Sequence, residues 1–277
     1  MKNEKDNLVK SICSQMIENI QSNKQPLCIL IGGLPGAGKT NLIEQVKKEH
    51  PDREFLVIDA DDFRKLHPDN DKLLESPEKA VTKTIAFANS IELELIKQGI
   101  ERKLDIISVT SLRATDVIDQ ILYRPAIDSG YKIEACIMSV PISECGLSAQ
   151  NRYEEQIKKG QFPRFVSMDF MDSAYSGIKN TILMLQRKSD KPVIKIYKRG
   201  EQEKSMPIKY YDSTDQNILY RSALEGFMNP KKSIKKETAS FKIKELYEKK
   251  KQRGADVSEY KALERLEELF GIDEQVR

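Results

Sequence analysis

Cys28-Ile29-Leu30-Ile31-Gly32-Gly33-Leu34-Pro35-Gly36-Ala37-Gly38-Lys39-Thr40 is the stretch from which the rest of the chain is read. The run Cys28 to Ile31 is short, wholly apolar and ends in glycines, as a strand buried on both faces of a parallel sheet does. Residues 33–40 fit the spacing G-x-x-x-x-G-K-[ST], and a helical pattern from Lys39 to about Lys48 follows, so the motif sits in the strand–loop–helix context that phosphate binding requires. The small residues Gly33, Gly36, Ala37 and Gly38 let backbone N–H groups close around an anion at a helix N-terminus. Lys39 is then expected to neutralise β- and γ-phosphate charge and the Thr40 hydroxyl to ligate Mg²⁺, which makes ATP with Mg²⁺ the expected pair.

Outward from this loop, further apolar runs at Phe55 to Ile58, Ile106 to Val109, Ile133 to Met138 and Val193 to Tyr197 predict strands. Helical patterns at about Glu78 to Gln98, Thr115 to Ser129, Ile142 to Lys159 and Met168 to Arg187 alternate with them. A leading amphipathic helix carries Leu8, Val9, Ile12, Met16, Ile17 and Ile20, with Asp6 or Asn7 as its expected cap. The alternation predicts an α/β class: a doubly wound, mostly parallel sheet of about five strands. After Arg199 the pattern becomes polar and turn-rich, then gives two helical segments around Ser240 to Lys251 and Ser258 to Phe270. Leu263, Leu266, Leu269 and Phe270 form one stripe, enough to dock but too little for an independent core. The expected organisation is a main domain over 1–199, including the N-terminal helix, with a helical appendage over 200–277 packed on it.

The 277 residues include 39% hydrophobic and 32% charged, so a sizeable core is expected and a disordered chain is excluded. No apolar stretch approaches the roughly 18 residues that span a bilayer, and Met1 to Lys10 carry no export signal, so a soluble, cytoplasmic protein with no membrane association is expected. The four cysteines stand far apart, with no Cys-x-x-Cys and two histidines in all, which argues against a zinc site or a disulfide framework. Net charge is +3, too small to imply nucleic acid, but Lys231 to Arg253 holds ten Lys/Arg against three Glu. That tract is expected to be a solvated helix face, with Phe241 and Tyr247 making hydrophobic contacts beside Leu246.

The second predicted strand runs into Val57-Ile58-Asp59-Ala60-Asp61-Asp62-Phe63, which places carboxylates at a strand's carboxyl end. A hydroxyl attacking a γ-phosphorus must lose a proton, and a carboxylate within hydrogen-bond reach can receive it. Asp59 and Asp61 share a side if the strand persists, and Asp62 is expected to cap the following helix.

These motifs resemble the zeta toxin family, kinases of bacterial toxin–antitoxin pairs that phosphorylate UDP-N-acetylglucosamine on the sugar. The resemblance rests on the phosphate loop, on Val57 to Phe63 with His67-Pro68 following, on Thr110-Ser111-Leu112-Arg113, and on Asn151-Arg152-Tyr153-Glu154 with Gly160, Pro163-Arg164-Phe165 and Asp172-Ser173-Ala174-Tyr175. It spans about Cys28 to Leu185 and implies a P-loop kinase-like fold. It also implies that Asp61 is the catalytic carboxylate, Lys39 the loop lysine, and Arg152 and Arg164 the phosphate-binding arginines. Glu92, with Glu94 as a near alternative, and Thr110 match the substrate contacts, Asp59 would join Thr40 near the metal, and a small antitoxin is the implied partner. One departure stands out: many relatives carry Glu ahead of the threonine, where this chain reads Ile107-Ser108-Val109-Thr110. Two other readings therefore stay open, a kinase of the same architecture acting on a nucleotide, another sugar or a nucleic-acid end, and a nucleotide-dependent switch.

Overall fold

The apolar runs pair side by side in the computed structural model, which describes residues 2–69, 73, 77–200, 205–215 and 219–272. Strands β1 (Leu27–Gly32), β2 (Phe55–Asp59), β3 (Asp105–Val109), β4 (Lys132–Met138), β5 (Val193–Lys198) and β6 (Ile208–Asp212) form one sheet in the order β2-β3-β1-β4-β5-β6. The first five strands are parallel, and β6 runs antiparallel to β5. Every residue of β1 and β3 is buried. Continuous apolar runs are the physical consequence of covering both faces with helices.

The main helices are α1 (Lys2–Ile17), α2 (Lys39–Glu49), α3 (Pro77–Glu101), α4 (Ile142–Lys158), α5 (Met168–Gln186), α6 (Ala223–Met228), α7 (Lys236–Arg253) and α8 (Val257–Phe270). Helix α1 begins before Asp6, so Asp6 and Asn7 lie inside it rather than capping it; its Val9, Cys13 and Ile17 are buried and it packs on α3. The expected helix over Thr115 to Ser129 is broken into Thr115–Ile118, a π-helical turn Asp119–Tyr123 and Arg124–Asp128, with Pro125 in the first turn of the last piece.

The sheet has a sixth strand in the region read as turn-rich. Ile208–Asp212 is an edge strand, so one face alone needs to be apolar: Tyr211 is buried while Ile208 and Lys209 face outward, and no apolar run announces it. Helices α7 and α8 pack on each other and on α4. In the α8 stripe Leu263 and Leu266 are fully buried, but Leu269 is turned outward. The last residues of the predicted appendage, 273–277, lie outside the described residues. Among the described residues no helix is long and apolar enough to cross a membrane.

Candidate active site

Register brings the site together before any side chain is considered. Ile31 and Asp59 are each level with Val109 on β3, which lies between β1 and β2. The phosphate loop, the aspartate segment and Thr110 therefore leave the sheet side by side at its carboxyl edge, where open α/β sheets bind ligands. A cleft of about 430 Å³ opens there, lined by Gly36, Gly38, Lys39, Thr40, Asp59, Asp61, Glu92, Thr110, Arg152 and Arg164. Gly33 and Ala37 belong to the same loop but do not line the cleft.

The loop is held from three sides. Gly36 has φ +81°, and a Cβ there would stand 2.3 Å from the Cys145 carbonyl, so the loop rests directly on the first turn of α4 and this position requires glycine. Lys39 Nζ donates to the carbonyls of Gly33 (3.0 Å) and Leu34 (3.4 Å). Arg199, just after β5, donates through Nη2 to the Gly36 carbonyl and to Ser148 Oγ at 3.0 Å, while its Nη1 lies 3.7 Å from Glu144 Oε2. Burial pushes the Lys39 ammonium down to about 8; Asp59 works against that, whereas Arg164 and Arg152 add to it.

On the opposite wall β2 ends at Asp59, whose Oδ1 accepts the Asp61 amide at 3.0 Å. The cap of the short helix Ala60–Phe63 is thus Asp59 and not Asp62, because the strand stops one residue before the turn begins. Burial, and next the charge of Asp62, raises the Asp59 carboxyl above its ordinary range, against Lys39, Arg164 and Arg152. Asp61 projects between two guanidiniums: Arg64 Nε is 3.1 Å from Oδ1, and Arg164 donates through Nη1 to Oδ2. Arg152 on α4 completes the basic side, and desolvation lowers both Arg152 and Arg164 while Asp59 opposes it. Asp61, Arg64, Arg152 and Arg164 also line a second cavity of about 460 Å³ that extends toward Gln161 and Phe162.

Of the two candidate glutamates on α3, Glu92 lines the cleft, while Glu94 accepts from Gln98 Nε2 at 2.7 Å. Burial and then Asp59 raise the Glu92 carboxyl. The Thr110 amide donates to the Ile31 carbonyl at 3.0 Å, which ties the acceptor side to the phosphate loop's own strand. Val109, immediately before Thr110, lines the cleft as an apolar surface.

Arg64, Asn89 and Ser148 line the cleft without belonging to any motif, and Ser111, within the Thr110–Arg113 stretch, lines it beside Thr110. For Arg64 a signal exists: it lies three residues beyond Asp61, the spacing that stacks side chains on one helical turn. His67 makes a local bond, accepting the Asp69 amide at Nδ1 (3.1 Å), and sets its ring edge against Phe87. All four cysteines are buried and free, and burial raises their thiols to about 11 for Cys13 and about 12 for Cys28, Cys136 and Cys145, which leaves them protonated at neutral pH.

Thr40 and Asp59 both line the cleft with hard oxygen donors, the donor type that suits Mg²⁺. Among the described residues no group of three or more His, Cys, Asp or Glu is placed to hold a metal by itself. Such a site fits a cation held by one or two protein oxygens and by substrate phosphates.

Comparison with known proteins follows this geometry. The chain is 27% identical to Toxin zeta of Enterococcus hirae over 150 residues, covering 54% of this chain and 52% of that protein. It is 31% identical to Toxin PezT of Streptococcus pneumoniae serotype 4 over 139 residues, covering 49% and 53%. The chain thus matches about half the length of these curated relatives. Among solved structures, a chain of the PezAT chromosomal toxin–antitoxin system of Streptococcus pneumoniae superposes with a TM-score of 0.70 at 22% identity, over 90% of this chain and 97% of that one. A chain of the AvrRxo1-ORF1:-ORF2 assembly solved with ATP superposes with a TM-score of 0.59 at 14% identity, over 95% and 89%. Both share the mostly parallel, P-loop kinase-like fold. The Zeta toxin family model matches residues 12–234, the whole of the sheet and of the cleft, and the chain belongs to the zeta toxin family.

Proposed function

We propose that this chain is an ATP- and Mg²⁺-dependent kinase that transfers the γ-phosphoryl group to a sugar hydroxyl of UDP-N-acetylglucosamine, acts in the cytoplasm and so starves cell-wall precursor synthesis. The observation that carries this reading is the meeting, in one cleft, of a phosphate loop with a carboxylate flanked by arginines on the acceptor side. Family membership and the solved relative with ATP support the donor half.

The acceptor oxygen attacks the γ-phosphorus in line, its proton passes to Asp61, and the bond to the bridging oxygen breaks so that ADP leaves with the electron pair. Lys39 and the loop amides hold the donor phosphates. Thr40 and Asp59 would hold Mg²⁺, which when bound offsets phosphate charge. Asp61 exchanges its bond to Arg164 for one to the hydroxyl, freeing that guanidinium to join Arg152 on the equatorial oxygens. Charge developing there is stabilised by these two guanidiniums, worth roughly 10³- to 10⁵-fold for an arginine of this kind. Glu92 and Thr110 orient the acceptor. The catalytic unit is assigned to residues 1–199, with 200–277 as its support, and a small antitoxin is the proposed partner, as the toxin–antitoxin origin of the solved relative suggests.

One observation favours a second acceptor: Val109 supplies no carboxylate for a sugar hydroxyl. Mass spectrometry of a metabolite extract treated with protein, ATP and Mg²⁺, alongside purified UDP-N-acetylglucosamine, tests both readings. The expected product is ADP with a phosphorylated sugar nucleotide. ADP release that ignores the sugar nucleotide, with another metabolite gaining phosphate, would move the assignment to that acceptor. No phosphorylated small molecule at all would favour a nucleotide-dependent switch, a reading that leaves Asp61, Glu92 and Thr110 in the cleft without a task.

A further inference from the structure

The basic tract ends in a buried cluster. Lys250, fully buried in the last turn of α7, has Nζ 2.9 Å from Glu154 Oε1 and 2.7 Å from Glu259 Oε2. Arg253, one turn on, donates to both oxygens of Glu154 (Nη2 to Oε1 at 2.9 Å, Nε to Oε2 at 3.0 Å) and to both of Glu259 (Nη1 to Oε1 at 3.1 Å, Nη2 to Oε2). Two cations and two carboxylates balance, and hydrogen bonds to both cations hold Glu154 below its ordinary range despite burial. Such a network is a poor source of net stability, because desolvation offsets most of the attraction, but it fixes geometry when fully paired.

What it fixes lies next to the cleft. Lys250 Nζ stands 5.2 Å from the Tyr153 ring centre and 5.9 Å from that of Phe165, and Arg253 Cζ stands 5.4 Å from Tyr153. The two rings meet edge to face at 5.5 Å. Tyr153 follows Arg152 in the chain and Phe165 follows Arg164, so each cleft arginine has an aromatic neighbour in sequence; Lys250 lies near both rings and Arg253 near Tyr153. The loop carrying Arg164 is also tied to α4 on either side of Phe165: its Arg164 amide donates to Gln156 Oε1 at 3.1 Å, and Gln150 Nε2 donates to the Val166 carbonyl at 3.0 Å.

We propose that the α7–α8 hairpin is a clamp on the arginine wall, with Lys250 and Arg253 as positioning residues that set the spacing of Arg152 and Arg164 through Tyr153 and Phe165. The consequence for phosphoryl transfer rests on the kinase reading above; the clamp itself does not. Misplacing a charge-bearing group by about 1 Å can cost on the order of 10²-fold in rate.

The full chain is compared with Lys250→Met, with the charge-balanced pair Lys250→Met/Glu259→Gln, and with Ile243→Val, which trims the core of the same helix. Hydrogen exchange at Arg164 and Phe165 is expected to quicken about tenfold or more in both Lys250 variants while Ile243→Val leaves it unchanged. Affinity for ADP with aluminium fluoride, relative to ADP alone, is expected to fall about 10- to 100-fold in the Lys250 variants, with ADP binding itself unmoved. Lys250→Arg should restore part of both readouts. If the single variant does not fold, the balanced pair decides. Unchanged exchange at Arg164, or equal changes in Ile243→Val at matched melting temperature, would overturn the clamp. If the unmodified protein shows no tightening with aluminium fluoride, phosphoryl transfer is the reading that fails, and exchange alone decides the clamp.

Discussion

Replacing Asp61 with Asn removes one negative charge and a proton acceptor while keeping the shape of the side chain. The structure permits separate estimates of the effect on rate, stability and binding. Asp61 is 43% exposed and its partner Arg164 31% exposed; a pair that open contributes only about 0 to 1 kcal/mol to folding. Arg64, the more buried partner, keeps the Thr84 hydroxyl 3.3 Å from Nη1 and gains an amide oxygen in place of a carboxylate. The melting temperature should therefore move by a few degrees at most. ATP binding should hold or tighten slightly, since the lost carboxylate repels polyphosphate and Lys39, Arg152 and Arg164 remain. The chemical step should fall by about 10²- to 10⁴-fold, the usual contribution of a positioned general base, or about 2.7 to 5.4 kcal/mol of barrier. Single-turnover quench-flow with γ-labelled ATP, calorimetric ATP titration and a thermal melt on the same preparation read the three quantities. Transfer within about tenfold of the unmodified protein, at unchanged melting temperature, would remove Asp61 from its role; a parallel collapse of all three would make it structural.

Other tests address the remaining walls. Because the folded protein holds the Lys39 ammonium down at about 8, that group is charged below this pH and neutral above it, so ATP affinity should weaken about tenfold between pH 7 and 9 with proton uptake on binding; titration calorimetry in buffers of different ionisation enthalpy should show this, and a flat profile would contradict the assigned role. Gly36→Ala brings a Cβ to 2.3 Å from the Cys145 carbonyl at φ +81°; overpacking and left-handed strain together cost at least about 2 kcal/mol, so a lower melting temperature and lost ATP binding are expected from a scan and a titration. Glu92→Gln should lower kcat/KM for the acceptor by about tenfold or more while the ATP dissociation constant stays put, a split visible in steady-state kinetics with each substrate varied in turn.

The central strands were legible because burial on both faces leaves a run of apolar residues and no alternative period. The edge strand β6 was not, since Ile208-Lys209-Tyr210-Tyr211-Asp212 fully buries Tyr211 alone, half-buries Tyr210 and Asp212 and leaves Ile208 and Lys209 to solvent. The same logic applies within the site. The phosphate loop is local, so its spacing is its signature. Asp59 ends β2 one residue beyond the apolar run Phe55 to Ile58, and besides lining the cleft it caps the turn that presents Asp61. Arg199 could not be read at all: its partner, the Gly36 carbonyl, is 163 residues away, and an arginine after a strand has no distinguishing neighbours.

This separation between local and remote parts explains how the cleft divides its labour. The donor loop, Asp59 and Thr110 are tied to β1, β2 and β3, whose ladder sets Ile31 and Asp59 level with Val109. That half of the site is as rigid as the core. Arg152 and Arg164 have no such tether: one rides on α4, the other on the loop after Gly160, and neither belongs to a strand. Guanidiniums that must sit opposite a transferring phosphoryl group need a second source of order, and what packs behind them is the α7–α8 hairpin with its buried charges. A basic tract that looks like solvent-facing helix in sequence therefore turns Lys250 and Arg253 inward, where one partner, Glu259, follows closely in the chain and the other, Glu154, lies about a hundred residues back.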